Sequence, residues 1–129
     1  MGGKDHASPR YIFTYLNPLT RLVFPEEDDA LLDQIEEEGM KIEPNSYVPI
    51  LPMVLVNGAE GIGTGWSTSI PCFNPGDIVK NLQQKLKNPE FPFTKMVPWY
   101  KNFTGTIEHN EDAKTNCPQF QVRGVWKEL

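Results

Sequence analysis

Two short stretches of this chain hold the residue types that could do chemistry. In the first, Pro9-Arg10-Tyr11, a guanidinium stands beside a phenol. A phenol titrating near pH 10 is almost fully protonated at neutral pH, so it needs help to act as a nucleophile. A neighbouring guanidinium favours the phenolate and offsets charge developing on an acceptor group. By residue type alone, however, Tyr11 reads as a half-buried strand tyrosine. The second stretch, NGAEGIGTGW, sets Gly58, Gly61, Gly63 and Gly65 around one bulky aliphatic residue, Ile62. Glycine loops cradle phosphates when a lysine follows at P-loop spacing, but none follows here until Lys80. The GxGxG spacing also misses the GxGxxG dinucleotide pattern. A tight turn that lets backbones approach remains, and it leaves Ile62 without a reason.

Other reactive groups are sparse. Cys72 and Cys117 lack CxxC spacing and read as reduced thiols, not a disulfide or metal site. There is no DxD-type carboxylate pair to hold two metal ions, so no metal ligand is assigned. Acid is concentrated between Glu26 and Glu43, where nine acidic residues face one basic, Lys41. The rest of the chain carries eleven basic and eight acidic residues, so the net charge of -5 is a local property. That run reads as a solvated face. No apolar run approaches the roughly 20 residues that span a bilayer, so no membrane segment is expected. MGGKDHASPR has no apolar signal core, which makes the sequon at Asn102 accidental.

The elements that must position these groups follow from breakers and periodicity. RYIFTYL, Arg10 to Leu16, is rich in aromatic and β-branched residues and predicts a strand. Asn17-Pro18 starts a short helix with Leu19, Leu22 and Val23 on one face, and Pro25 ends it. Leu31, Leu32 and Ile35 fall at helical offsets within the acidic run until Gly39. VPILP, Val48 to Pro52, is extended, and Met53 to Val56 fits either a buried strand or a helix start. Asn74-Pro75 opens the clearest helix, with Ile78, Val79, Leu82 and Leu86 inward and Lys80, Gln83, Gln84, Lys85 and Lys87 outward. WYKNFTGTIE and QFQVRGVW predict strands of a small sheet, joined by His109 to Cys117. Nothing marks a clear linker, so the residues read as one mixed α+β unit of 129 residues.

GGKDHASPRYIFT, Gly2 to Thr14, resembles the active-site tyrosine region of eukaryotic type II DNA topoisomerases. PILPMVLVNGAEGIGTGWS, Pro49 to Ser67, resembles that family's next motif, and Ile70-Pro71 and YKNFTGTIE continue in order. The resemblance covers most of residues 2 to 109. His6 stands where the family pattern has alanine, and the acidic run is idiosyncratic; neither touches Tyr11 or Ile62.

The resemblance implies an α+β fold: residues 1–16 end a winged-helix domain, and 17–129 begin the mixed α/β tower domain. It implies that Tyr11 attacks a DNA phosphodiester to become a 5′-phosphotyrosyl, with Arg10 beside it. Ile62 matches the isoleucine that wedges between base pairs, and Gly61 and Gly63 let its loop enter the minor groove. Lys4 is a candidate contact to backbone phosphates, and His6 a local hydrogen-bonding group. Implied for the full enzyme are double-stranded DNA as partner, ATP and Mg²⁺ as cofactors, a homodimer and a nuclear location. The ATPase module, the acidic Mg²⁺-binding domain and the helix-turn-helix part of the winged-helix domain have no counterpart in the chain, which is expected to be inactive alone. The competing expectation is a non-catalytic DNA-binding or interaction module descended from such an enzyme. One geometric difficulty stands: neighbouring side chains of a regular strand point to opposite faces, so Arg10 and Tyr11 should diverge.

Overall fold

The computed structural model describes residues 7–111 and 118–127. The chain forms two compact units, Met1–Ile50 and Leu51–Leu129, where the sequence reads as one. Helices are combined with three two-stranded antiparallel sheets, a mixed α+β content.

In the first unit Pro9–Tyr11 form a 3-10 turn, closed by the Tyr11 N–H donating to the Ser8 carbonyl at 2.9 Å. The strand expected over Arg10 to Leu16 does not form. Residues 12–16 are irregular and exposed. A strand must hydrogen-bond its backbone groups to a partner, and none of the described strands pairs with this stretch.

The helix starts later than Asn17-Pro18 predicts: its N-cap is Leu19, with no side-chain cap bond, and Pro18 lies in the turn before it. The Asn17 carboxamide oxygen accepts from the Leu19 N–H at 2.9 Å, leading into α1, Thr20–Val23. The acidic run departs from its helical reading. A 3-10 segment, Glu26–Leu31, gives way to β1, Gln34–Glu37, paired antiparallel with β2, Met40–Pro44. A continued helix would set Asp29 against Asp33 and Asp33 against Glu37 four residues apart, a repulsive arrangement. Glu38 and Gly39 instead take φ of 51° and 78°, the two positive values that a tight hairpin reversal needs. Arg21 donates to Asp29 at 2.9 Å, and this bond and the carboxylate charge raise the pKa of the guanidinium. Phe24 meets Tyr47 edge-on at 5.6 Å.

In the second unit, α2 spans Met53–Asn57, which resolves the strand-or-helix ambiguity in favour of helix. β3, Ala59–Ile62, and β4, Ser67–Ile70, form a hairpin. The long helix α3, Pro75–Lys87, starts as predicted: the Asn74 side chain accepts the Gly76 N–H at 2.8 Å and Pro75 fills the first turn. Ile78 is 2% exposed, and Pro98 is buried as well. Val79 and Leu82 are half-buried.

Leu86 is 85% exposed, against its inward reading; the returning chain bonds to Asn81 and Lys85 instead, through Thr94 and Phe91. Lys85 is half-buried, against its outward reading. Its ammonium donates to the Phe91 carbonyl at 3.1 Å and lies 5.4 Å from the centre of the Phe93 ring. β5, Thr106–Glu111, and β6, Pro118–Arg123, make the third sheet. His109 therefore lies in a strand, while residues 99–105 expected in it remain a loop.

Candidate nucleic-acid interface

Tyr11 ends the 3-10 turn and is 72% exposed. The Arg10 guanidinium carbon lies 4.9 Å from the centre of its ring. The turn removes the geometric difficulty, because its backbone does not alternate side chains across a sheet. A guanidinium over a phenol face is an attractive cation–π arrangement. It keeps a positive charge on the face of a phenol ring that solvent, and anything approaching from solvent, can reach.

Ile62 ends β3 opposite Ser67 and is 91% exposed. It is not a core residue. The chain reverses through Thr64 and Gly65, where φ is 79°, and the Gly63 N–H donates to the Trp66 carbonyl at 2.8 Å. A side chain added at Gly61 would meet nothing within 4 Å, and one at Gly63 only the Trp66 carbonyl at 3.7 Å. The hairpin tip is thus bare backbone on which Ile62 and Trp66, 85% exposed, are the large apolar groups. The sequence reading did not single out Trp66.

Gly58, read as part of a tight turn that lets backbones approach, and Cys72, read as a reduced thiol, anchor the hairpin through contacts the sequence did not reveal. Gly58 takes φ 70° and ψ 174°, a conformation essentially reserved for glycine. A Cβ there would lie 2.7 Å from the Ile70 carbonyl oxygen and 3.2 Å from the Cys72 sulfur. Cys72 is a free, half-buried thiol that donates to the Asn57 carbonyl at 3.1 Å. The hairpin base is therefore clamped where α2 ends. A contact between residues more than ten positions apart leaves no local signature. Arg10 and Tyr11 belong to the first unit, and Gly61, Ile62 and Gly63 to the second. Lys4, His6 and Cys117 lie outside the described residues.

Among the described residues no group of three or more His, Cys, Asp or Glu side chains could hold a metal ion. Nor is any helix of the described residues long and apolar enough to cross a membrane.

The chain is similar to the crystal structure of the Plasmodium falciparum topoisomerase II DNA-binding, cleavage and re-ligation domain. The TM-score is 0.75 at 48% identity, over 99% of this chain and 17% of that one. The family model for the DNA gyrase/topoisomerase IV A subunit matches residues 1–128. The chain belongs to that family, as a segment of a eukaryotic type II topoisomerase. It is 52% identical to DNA topoisomerase 2 of Arabidopsis thaliana over 128 residues, 99% of this chain and 8% of that protein. It is 62% identical to DNA topoisomerase 2 of Bombyx mori over 107 residues, 83% of this chain and 7% of that protein. The chain thus spans less than a tenth of the length of these relatives.

Proposed function

We propose that this chain is part of the DNA breakage–reunion core of an ATP-dependent type II DNA topoisomerase. That enzyme passes one duplex through a transient double-strand break in another. The observation that supports the reading most is the similarity of nearly the whole chain to a DNA-binding, cleavage and re-ligation domain.

In this reading the Tyr11 hydroxyl oxygen attacks a backbone phosphorus. A tyrosyl–phosphorus bond forms on the 5′ side as the bond to the 3′ oxygen breaks. The phenol gives up its proton, and the departing 3′ oxygen ends as a hydroxyl. Resealing is the same step reversed, with the 3′ hydroxyl attacking and the phenol leaving. One phosphodiester replaces another, so the energy of the broken bond is retained. Arg10 offsets charge building on the phosphoryl oxygens. Ile62 enters the gate duplex from the minor groove and supports a kinked base step, while Gly61 and Gly63 present no side chain to the groove walls. Lys4 contacts the phosphate backbone near Tyr11.

No residue of this chain is assigned to Mg²⁺ in this reading. In our proposal the ion belongs to an acidic domain elsewhere in the parent enzyme, as ATP belongs to a separate module. The domain limits proposed are 1–16 for the end of a winged-helix domain and 17–129 for the start of the tower. The parent works as a homodimer in the nucleus.

The test is Tyr11→Phe in a full-length enzyme carrying this segment. The change removes one oxygen from an exposed ring, so folding should be unaffected. Denaturant-trapped protein–DNA adducts should vanish, and adducts persisting in the variant would sink the assignment of Tyr11.

A further inference from the structure

We propose that Trp66 is a second DNA-contacting residue of the hairpin. Its indole packs on the sugar–phosphate wall of the minor groove, on the side away from Ile62. This rests on the reading of Ile62 as a wedge.

The register sets the two residues apart. Ile62 pairs with Ser67, and cross-strand partners share a face of a hairpin. The Gly63 N–H bond to the Trp66 carbonyl carries the ladder one pair further, so Gly63 and Trp66 share the opposite face. Because its partner is a glycine, no side chain stands between Trp66 and whatever approaches that face. A hairpin entering a groove tip first presents one face to each wall. The minor groove, about 6 Å wide at rest, must open when a side chain unstacks a base step. A second bulky group on the far face then fills the widened space.

The indole suits that wall chemically. Its apolar body matches deoxyribose, and its N–H can donate to a phosphate oxygen. At 85% exposure neither the body nor the tip is covered by the protein. The partner is thus the backbone of the same duplex that Ile62 bends, continuous with that contact.

The experiment uses the full-length enzyme on an end-labelled gate duplex. It reads hydroxyl-radical footprints, DNA affinity and bending by end-to-end fluorescence transfer. Wild type should protect a few deoxyriboses on one strand beside the kinked step. Trp66→Ala should expose them and weaken binding about tenfold, the order of one lost hydrogen bond to a charged oxygen. Trp66→Phe, which keeps the ring but not the donor, should restore most of the protection. An unchanged footprint in Trp66→Ala, with the bend still abolished by Ile62→Ala, would overturn the role of Trp66 and leave the wedge standing. If neither change alters footprint or bend, the hairpin does not enter the groove and both readings fall. A lower melting temperature of DNA-free Trp66→Ala enzyme with an intact footprint would place the indole against protein, which also overturns the proposal.

Discussion

Gly58→Ala should loosen the hairpin that carries Ile62, while the same change at Gly61 should leave its stability intact. The difference is geometric. Gly58 sits at φ 70° and ψ 174°, where a residue with a Cβ is strained by about 1–3 kcal/mol. The new methyl would also lie 2.7 Å from the Ile70 carbonyl oxygen. That is backbone inside a ladder and cannot swing aside as a flexible side chain can. Relieving such an overlap costs about 1–3 kcal/mol more. Allowing for partial relaxation, the hairpin base should open about 2–5 kcal/mol more easily. Gly61 has open space at its Cβ position.

Hydrogen exchange of the full-length enzyme, read on peptides covering residues 53–73, reports this opening locally. The Phe73 N–H, held by the Leu55 carbonyl at 2.8 Å, and the Gly63 N–H are the informative amides. Exchange in Gly58→Ala should quicken about 30-fold or more, since each 1.4 kcal/mol is roughly a factor of ten. Gly61→Ala should match wild type in exchange and instead weaken DNA cleavage, because its methyl would crowd the groove. Equal exchange in wild type and Gly58→Ala would refute the clamp.

Three other expectations follow from the same structure. Ile62→Ala should change the melting temperature little, because the side chain is 91% exposed; a core isoleucine would lose about 2–5 kcal/mol. Fluorescence transfer on a bound duplex should show a shallower bend, and a large melting shift with an unchanged bend would return Ile62 to the core. Asn81, buried on α3, accepts the Thr94 N–H at 2.7 Å and donates to the Thr94 carbonyl at 3.3 Å. Asn81→Leu leaves both backbone groups unpaired and should destabilise by about 1–3 kcal/mol, read as faster exchange in residues 91–97. The 129-residue chain alone, at net charge -5, should neither relax nor cleave plasmid DNA with Mg²⁺ and ATP. Relaxation by the purified chain that survives Tyr11→Phe would reveal a catalytic group beyond those named above.

Elements whose causes are local were legible in the sequence. Asn74, Pro75 and the apolar spacing from Ile78 define α3 because a cap, a fixed φ and a periodic face act within one segment. Of the last sheet, Thr106 to Glu108 and Gln119 to Arg123 fall within the predicted strands, while the aromatic residues 99–103 stay in a loop and His109 to Glu111 extend β5 beyond its expected end. The Tyr11 and Ile62 motifs were legible as a resemblance, since the order of long motifs survives without any fold. What failed depended on partners. RYIFTYL has strand composition, yet its backbone finds no described strand to pair with. Leu86 keeps the helical period and still faces solvent, because periodicity names a face but not the side on which a returning chain docks, here that of Asn81 and Lys85. The acidic segment became a hairpin through two positive φ values, at Glu38 and Gly39, one of them on a residue that seldom takes one. The folded backbone set Arg10 over the Tyr11 ring through a local 3-10 turn, exposed Ile62 and Trp66, and clamped Gly58 beneath Ile70. Each of these depends on backbone conformation or on distances between residues far apart in the chain, and residue type and local spacing encode neither.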